Sequence, residues 1–519
     1  MNLGRAIGTI GGLTMVSRVF GFARDMTLSR IVGADMAAHA FFVAFRLPTL
    51  FRRLFGEGAF SAGFVPLFSQ RLHGPDGQEA ARRFSEEVLS VFLPALFLFT
   101  VVFEIIMPGF VWLMASGYAD EPEKFWLTVE LTRITFPYLL LISLVSLLSG
   151  VLNSMSKFAA AAFAPALLNV AMIGALLLFP DGGIITARAL SVGVTIGGVL
   201  QALLLWFAVR REGLSLRLRR PRFSPQVKEL VRVILPATFG AGIYQLSQFI
   251  DTFFATRLPE GSMAYLNYAD RLNQLPLSVI GTALGTAILP ALSRYIHTGD
   301  APEAAKIQGR AVELSMLLTL PAAVALAITS TALITAFFQG GRFTTEDAIT
   351  TGQTLAILVA GLPAYVLVKV LTPGFYARKD TKTPVKTAAI VLVFNIALNF
   401  ALIPFLGIYG LALSTAICSW MNCLMLYGLL YRRGHFSIRA GLWLRLARQL
   451  VAAGVMGAAL WWLEGATGHL FAGSVGQRLI GIMALVGTGM ILYFGTAWVI
   501  GAVSREEVAL LLRRKRKAS

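Results

Sequence analysis

Apolar runs long enough to cross a membrane recur along the whole chain, and they limit its fold more than any other feature. Two of them read VLSVFLPALFLFTVVFEIIMPGFVWLM and LIGIMALVGTGMILYFGTAWVIGAV. A helix of about 20 apolar residues spans the roughly 30 Å hydrocarbon core of a bilayer. Only 14% of the 519 residues are charged, whereas soluble domains carry about 25%. The sequence therefore predicts an all-α polytopic membrane protein.

The hydropathy pattern predicts fourteen transmembrane helices. Their predicted cores are 8–30, 36–70, 85–114, 126–152, 158–180, 184–209, 228–256, 263–296, 311–338, 349–377, 385–405, 407–431, 446–464 and 478–502. The connection at 210–228 carries seven basic residues and one acid, the connection at 432–448 carries five basic residues and no acid, and the tail reads RRKRK. Because basic loops stay in the cytoplasm, both termini are predicted to be cytoplasmic.

Landmarks recur at a spacing of 224 to 226 residues, which indicates an internal duplication. The matched pairs are Asp25 with Asp251, Arg46 with Arg271, Pro66 with Pro290, Pro137 with Pro363, and Gly150 with Gly374. Each copy would hold six helices, and an even number gives both copies the same orientation. This pattern predicts two pseudo-symmetric six-helix lobes around a central cavity, as in alternating-access transporters. The predicted domains are an N-lobe at 1–215, a C-lobe at 216–435, and two further helices with a basic tail at 436–519.

Charged residues interrupt the apolar spans, chiefly in the first lobe. Each costs at least ~2.5–3.5 kcal/mol at the centre of a membrane helix, so such residues face the bundle interior or a watery cavity. The first two spans hold Arg18, Arg24, Asp25, Arg46, Arg52, Arg53 and Glu57. Arginine presents a planar fork of donors that matches phosphate oxygens. The excess of arginine over carboxylate predicts a phosphorylated, anionic substrate.

A structural interpretation of the same arginines stays open. They could pair with carboxylates, as the four-residue spacing of Arg53 and Glu57 would allow, or extend from the span ends to lipid headgroups. Further candidates for gating or for lining the cavity are Asp25, His39, Arg46, Asp251, Asp270 and Lys369. His39 near the outer end of the second span could sense protons or serve as polar lining.

Several long motifs resemble the MurJ (MviN) family of lipid II flippases. They include SRVFGFARD, AFFVAFRLPTLFRRLFGEGAFSAGFVP, FPYLLLISLVSLLSGVLN, FAPALLNV, NYADRLNQLPLSVIGTALGTAILPALS and VKVLTPGFYARKDTKTPVK. The resemblance covers about residues 1–510. It implies the fold of the multidrug/oligosaccharidyl-lipid/polysaccharide exporter superfamily and a location in the bacterial inner membrane. It also implies two C-terminal helices that receive the lipid tail.

The resemblance assigns roles to individual residues. It implies that Arg18, Arg24, Arg52 and Arg271 bind the headgroup, and that Glu57 matches a glutamate of the family. We add Arg53 to this predicted substrate-binding set because it shares a face with Glu57. The family often has an aspartate where this chain has His39, so a role of that carboxylate is in question here.

The predicted function is to flip lipid II, undecaprenyl-pyrophosphate disaccharide-pentapeptide, from the cytoplasmic to the periplasmic leaflet by alternating access. The resemblance implies this substrate, and the sequence contains no phosphate-binding loop for ATP and no zinc-protease motif. We therefore expect no enzymatic activity, no metal site and no cofactor. The membrane potential is the expected driving force, and a coupling ion is not identified. The expected partners are lipid II, membrane lipids and cell-wall synthesis proteins, without nucleic acid, and the chain is expected to be a monomer.

Other functions are compatible with parts of the pattern. A flippase for another polyprenyl-linked oligosaccharide, or a drug exporter, would share the fold, although a cation exporter should have an acidic cavity. A membrane-embedded glycosyl- or phosphotransferase would need paired carboxylates in a polar loop. A scaffold protein would tolerate loss of every cavity arginine.

Overall fold

A computed structural model describes residues 3–52 and 59–502, and within these ranges the regular secondary structure is helical. The first nine helices are α1 Leu3–Val32, α2 Met36–Phe51, α3 Ala59–Leu72, α4 Gly77–Met114, α5 Pro122–Thr135, α6 Tyr138–Ser154, α7 Ala159–Leu178, α8 Ile184–Arg211 and α9 Pro225–Ala255. The next ten are α10 Ser262–Pro276, α11 Thr282–His297, α12 Ala301–Ile328, α13 Ser330–Phe337, α14 Thr345–Val359, α15 Leu362–Tyr376, α16 Lys382–Leu406, α17 Ile408–Arg432, α18 Ala440–Phe471 and α19 Val475–Val499.

Eleven helical segments in the described ranges are long and apolar enough to cross a membrane, and α2 is a shorter apolar helix. Many of their large apolar side chains are exposed, for example Trp461 and Trp462 on α18. Such side chains suit a lipid environment. The predicted all-α membrane class is confirmed, while the count of fourteen spans stays a prediction.

The helices group into two compact units. The first runs to Ala264 and also contains Gly340–Thr344, and the second contains Tyr265–Gln339 and resumes at Thr345. Helix α9 groups with the first unit. The predicted lobes at 1–215, 216–435 and 436–519 follow the sequence duplication rather than contacts, and they stay a prediction.

Two prolines that the duplication pairs lie at equivalent breaks between helices. Pro137 stands at the N-cap of α6, directly after α5 ends at Thr135. Pro363 lies in the first turn of α15, after α14 ends at Val359. Proline has no N–H to donate and fits the first turn of a helix, where that N–H would lack a helical partner. The matched prolines therefore suit the starts of the helices that follow the two breaks.

The basic connection between α8 and α9 is fastened to the start of α4 in the first unit. The carboxylate of Glu86 is fully buried, and it accepts hydrogen bonds from Arg82 Nη1 at 2.6 Å and Arg219 Nε at 2.6 Å. The backbone N–H of Arg217 donates to the same carboxylate at 3.1 Å. A buried charge is stable when it is paired and hydrogen-bonded. This connection is therefore an ordered strap along α4.

Residues 340–344 form a short loop that packs on other parts of the first unit. The backbone N–H of Arg342 donates to the carbonyl oxygen of Arg30 at 2.9 Å. The Nη1 atom of Arg342 donates to Asp35 Oδ2 at 2.9 Å and to the carbonyl oxygen of Gly182 at 2.8 Å. Gly341 has φ +56°, and a methyl group there would overlap the carbonyl oxygen of Arg30. Glycine at 341 therefore permits this close approach.

In the second unit, the C-terminal helices α18 and α19 are fastened to α12 and α13. Arg445 Nη1 on α18 donates to the nearly buried Glu313 Oε1 on α12 at 2.9 Å. Arg478 Nη1 on α19 donates to the carbonyl oxygens of Thr335 and Gln339 at 3.1 and 3.2 Å. These carbonyls lie at the end of α13, where helical partners are missing. Arg478 thus caps α13.

Candidate functional site

Arg24 on α1 lies at the centre of a buried polar cluster in the first unit. Its Nε and Nη2 atoms donate to Asp25 Oδ1 at 3.0 and 2.6 Å. Its Nη1 atom donates to Asn169 Oδ1 on α7 at 3.0 Å and lies 3.8 Å from the sulfur of Met172. The guanidinium carbon lies 5.9 Å from the ring centroid of Phe45. The cluster holds an arginine inside an apolar helix bundle with its charge largely matched.

Arg18 lies six residues before Arg24 on the same helix. Arg18 is exposed, whereas Arg24 is largely buried and Asp25 is buried. The buried Gly21 separates the two arginines within the continuous helix α1. Helix α1 therefore continues through Gly21 without a break. The two arginines lie on one helix, and their roles in binding stay a prediction.

Two arginines of the predicted set occur on α2. Arg46 Nη2 donates to Gln248 Oε1 on α9 at 2.6 Å. Arg52 is half-buried and forms the C-cap of α2, with its backbone N–H donating to the carbonyl oxygens of Pro48 and Thr49. Arg53 and Glu57, whose pairing the sequence leaves open, lie outside the described residues. The predicted span at 36–70 is described as α2 and α3 on either side of residues 53–58.

His39 is buried near the start of α2 and is held through both ring nitrogens. The backbone N–H of Gly261 donates to Nε2, and the Tyr118 hydroxyl oxygen lies 3.4 Å from Nδ1. Because Nε2 accepts, Nδ1 carries the proton of the neutral ring and donates to Tyr118. Lys124 Nζ lies 4.5 Å from the centroid of the Tyr118 ring. The geometry suits a neutral histidine that ties α2 to two loops, and its gating role stays a prediction.

The remaining candidates lie on α9, α10 and α15. Asp251 is half-buried on α9 in the first unit. In the second unit, Asp270 is exposed on α10 with Gln274 Nε2 at 3.4 Å, and Arg271 beside it is half-buried. Lys369 on α15 packs along Gly281, which ends a single π-helical turn at Leu277–Gly281. Such turns are frequent at functional sites, and the role of Lys369 stays a prediction.

The sequence reasoning did not single out two amides that hold the arginines. Asn169 lies 145 residues from Arg24, and Gln248 lies 202 residues from Arg46. The available signal was a polar residue within an otherwise apolar motif, FAPALLNV for Asn169 and YQLSQF for Gln248. Polar side chains in membrane helices commonly hydrogen-bond across helices. That signal predicts that each amide has a hydrogen-bond partner on another helix, but it does not identify the partner residue.

Long apolar helices, and arginines fixed inside them by side chains of neighbouring helices, define a multi-pass helical membrane protein of the transporter class. A family model described as "Lipid II flippase MurJ" matches residues 28–481. A probable lipid II flippase MurJ of Rhizobium tropici is 43% identical over 524 residues, covering 100% of this chain and 98% of the relative. A lipid II flippase MurJ of Burkholderia cenocepacia is 38% identical over 510 residues, covering 96% of this chain and 98% of the relative. The chain belongs to the lipid II flippase MurJ family.

Solved structures agree with this assignment. A structure of "Lipid II flippase MurJ, inward closed conformation" superposes with a TM-score of 0.78 at 25% identity, covering 94% of this chain and 98% of that one. An inward-facing multidrug resistance MATE family transporter of the MOP superfamily gives a TM-score of 0.65 at 15% identity, covering 82% and 98%. The second likeness shows the fold alone. The predicted family is confirmed.

Proposed function

We propose that this chain carries lipid II from the cytoplasmic to the periplasmic leaflet, and that its arginines bind the pyrophosphate of the headgroup. The proposed binding residues are Arg18, Arg24, Arg52, Arg53 and Arg271, with Glu57 beside them. The carrier would expose this headgroup site to one face of the membrane at a time. Family membership supports the substrate, and the residues carry the rest of the argument.

The charge balance of α1 and α2 is the observation that carries the proposal. Within residues 11–52 the two helices contain one carboxylate, Asp25, because Asp35 is the N-cap of α2. Arg24 donates two hydrogen bonds to the carboxylate of Asp25. The same stretch contains five arginines, Arg18, Arg24, Arg30, Arg46 and Arg52. Phosphate oxygens fit guanidinium geometry, so an anionic ligand suits this arginine-rich pair of helices.

The direction of transport follows from the loops and the chemistry of the cargo. Sugars and phosphates cannot enter hydrocarbon unaided, so the polar headgroup needs a path lined by polar groups. Basic loops indicate that both termini face the cytoplasm. Moving negative charge out of a negative interior is favoured by about 2.3 kcal/mol per charge per 100 mV. Export therefore runs with the potential.

Complementation tests the proposal in a bacterium whose own lipid II flippase can be depleted. The wild-type chain should restore growth, whereas Arg24→Ala and Arg271→Ala, at matched membrane levels, should leave lipid II accumulated inside. Arg188→Ala is the matched control, because Arg188 pairs with Glu130 at 2.7 Å and both side chains are about half exposed. It should restore growth. Full rescue by Arg24→Ala and Arg271→Ala would reject headgroup binding by these arginines.

A further inference from the structure

We propose that Asn169 on α7 is a positioning residue, which holds the Arg24 guanidinium in the orientation that receives a phosphate oxygen of the cargo. This inference rests on the proposed function, since it assumes that Arg24 binds the headgroup. Asn169 would act through Arg24 without contacting the cargo. The contacts of both side chains carry the argument.

Asn169 is buried, with 7% of its surface exposed, and both ends of its amide are engaged. Its Oδ1 atom accepts from Arg24 Nη1 at 3.0 Å. Its Nδ2 atom donates to the carbonyl oxygens of Ser17 on α1 and Pro165 on α7, each at 3.3 Å. The opposite amide orientation would turn an NH₂ group toward the guanidinium and an oxygen toward two carbonyls. The surroundings therefore fix which atom faces Arg24.

Arg24 needs this contact because its carboxylate partner, Asp25, lies on the same helix. Asp25 occupies Nε and one N–H of Nη2. Asn169 holds Nη1 from a different helix, with the weaker acceptor sulfur of Met172 beside it on α7. A guanidinium has five N–H donors, so an N–H of Nη2 stays available for a phosphate oxygen. Asn169 thereby restricts the rotation of the fork and leaves one donor for the ligand.

The amide suits this task better than its nearest replacements. Aspartate keeps the acceptor but turns its second oxygen toward the Ser17 and Pro165 carbonyls, and it adds a negative charge that competes with phosphate for Arg24. Leucine keeps the branching at Cγ but offers Arg24 no acceptor. Alanine removes the contact and leaves Nη1 with only the weak sulfur acceptor of Met172 in a buried setting, where under-satisfied groups are costly.

The test measures binding of purified lipid II to the purified chain, together with its thermal unfolding. We expect Asn169→Ala to weaken lipid II binding roughly three- to tenfold, the range of one lost hydrogen bond. In an Arg24→Met background, which keeps the apolar stem but removes the donors, the same substitution should change affinity less than twofold. A positioning role predicts this non-additivity. A general structural role would weaken binding equally in both backgrounds.

Gln201→Leu is the matched control. Gln201 on α8 is also a buried amide. Its Nε2 atom donates at 3.0 Å to the carbonyl oxygen of Ala164 on α7, the helix that carries Asn169. The Gln201→Leu substitution should lower the unfolding temperature and preserve the affinity for lipid II. If Asn169→Ala does not fold, Asn169→Asp replaces it, with weaker binding expected only when Arg24 is present.

The outcomes separate the inference from the proposed function. Unchanged affinity in Asn169→Ala, or equal weakening in both backgrounds, overturns the positioning role. Unchanged affinity in Arg24→Met overturns the proposed function at this residue, whatever Asn169 does. Weakening by Arg24→Met together with the non-additive effect supports both.

Discussion

At the residue scale, Arg24 and Asp25 illustrate how a charge is kept within an apolar helix. Their side chains are 13% and 11% exposed and lie 2.6 Å apart. Removing one partner of a buried pair leaves an uncompensated charge, which costs more than the pair itself contributes. The pair therefore matters for stability as well as for the proposed binding.

A double-mutant cycle tests this pair. Arg24→Ala should lower the free energy of unfolding by up to about 3–5 kcal/mol, because it removes a charged partner of the buried Asp25 carboxylate. Arg24→Ala combined with Asp25→Ala should lose less than the sum of the single changes, since the ion pair can be lost only once. Denaturant unfolding of the detergent-solubilised protein measures each value. Additive losses would show that the two side chains are not coupled.

Asp380, in the turn between α15 and α16, provides a test of pH dependence. Thr383 donates to its carboxylate from N at 2.9 Å and from Oγ1 at 2.5 Å, and Arg433 Nη1 donates at 2.7 Å. These hydrogen bonds, from Thr383 first and then from Arg433, lower the pKa of Asp380 from 3.8 to about 2. A lowered carboxyl pKa stabilises the fold above the ordinary pKa, and this contribution disappears as the pH falls through the lowered one.

A spin label at Lys379→Cys should therefore stay ordered at pH 5 to 7 and gain mobility as the pH falls from about 4 to about 2. The electron paramagnetic resonance line shape measures this mobility. Asp380→Asn is the control, because an amide cannot titrate and should give a line shape independent of pH. An ordered label at the lowest pH in the unsubstituted background would contradict the assignment.

At the element scale, the loop at 340–344 is held by backbone and side-chain contacts of different strength. Gly341→Ala combines an unfavourable φ of +56° with a methyl group directed at the Arg30 carbonyl. Arg342→Ala removes the bonds to Asp35 and Gly182 but keeps the backbone bond to Arg30. The loop should therefore depend more on Gly341 than on the Arg342 side chain.

Hydrogen exchange of the peptide that contains residues 340–344 tests this order. Exchange should accelerate most in Gly341→Ala, less in Arg342→Ala, and not in Arg188→Ala, whose ion pair lies elsewhere in the first unit. Local protection decreases when the contacts that close a segment are removed. The reverse order, or equal exchange in all three, would contradict the described contacts.

The apolar helices were largely predictable at this scale, whereas their internal breaks and their contacts were not. Hydropathy located the helices, and the predicted span at 126–152 corresponds to the single membrane-length segment Pro122–Ser154. Pro137 and Pro363 served only as landmarks of the repeat, and the breaks beside them were not predicted. The contact of Arg24 with Asn169 depends on packing between distant segments, and no local pattern encodes it.

At the scale of the whole molecule, the proposal is a carrier whose export is driven by gradients rather than by a bound nucleotide. The headgroup pyrophosphate is negative, and its outward movement is favoured by about 2.3 kcal/mol per charge per 100 mV when the interior is negative. The membrane potential should therefore act on transport directly.

Vesicles carrying a potassium diffusion potential test this dependence. With the chain reconstituted and fluorescent lipid II in the inner leaflet, a potential of about 100 mV, negative inside, should increase outward movement several-fold. Reversing the potential should slow it, and vesicles without protein show the background rate. Equal rates at every potential would remove the potential as the driving force.

The central claim is that guanidinium groups within the helices carry a phosphorylated lipid headgroup across the membrane. The most direct measurement is the initial rate of lipid II translocation in proteoliposomes that contain wild type, Arg24→Ala or Arg188→Ala in equal amounts. Wild type and Arg188→Ala should translocate at the same rate, and Arg24→Ala should be roughly 10- to 100-fold slower, as expected for loss of hydrogen bonds to a charged group. Translocation by folded Arg24→Ala at the wild-type rate would contradict the account.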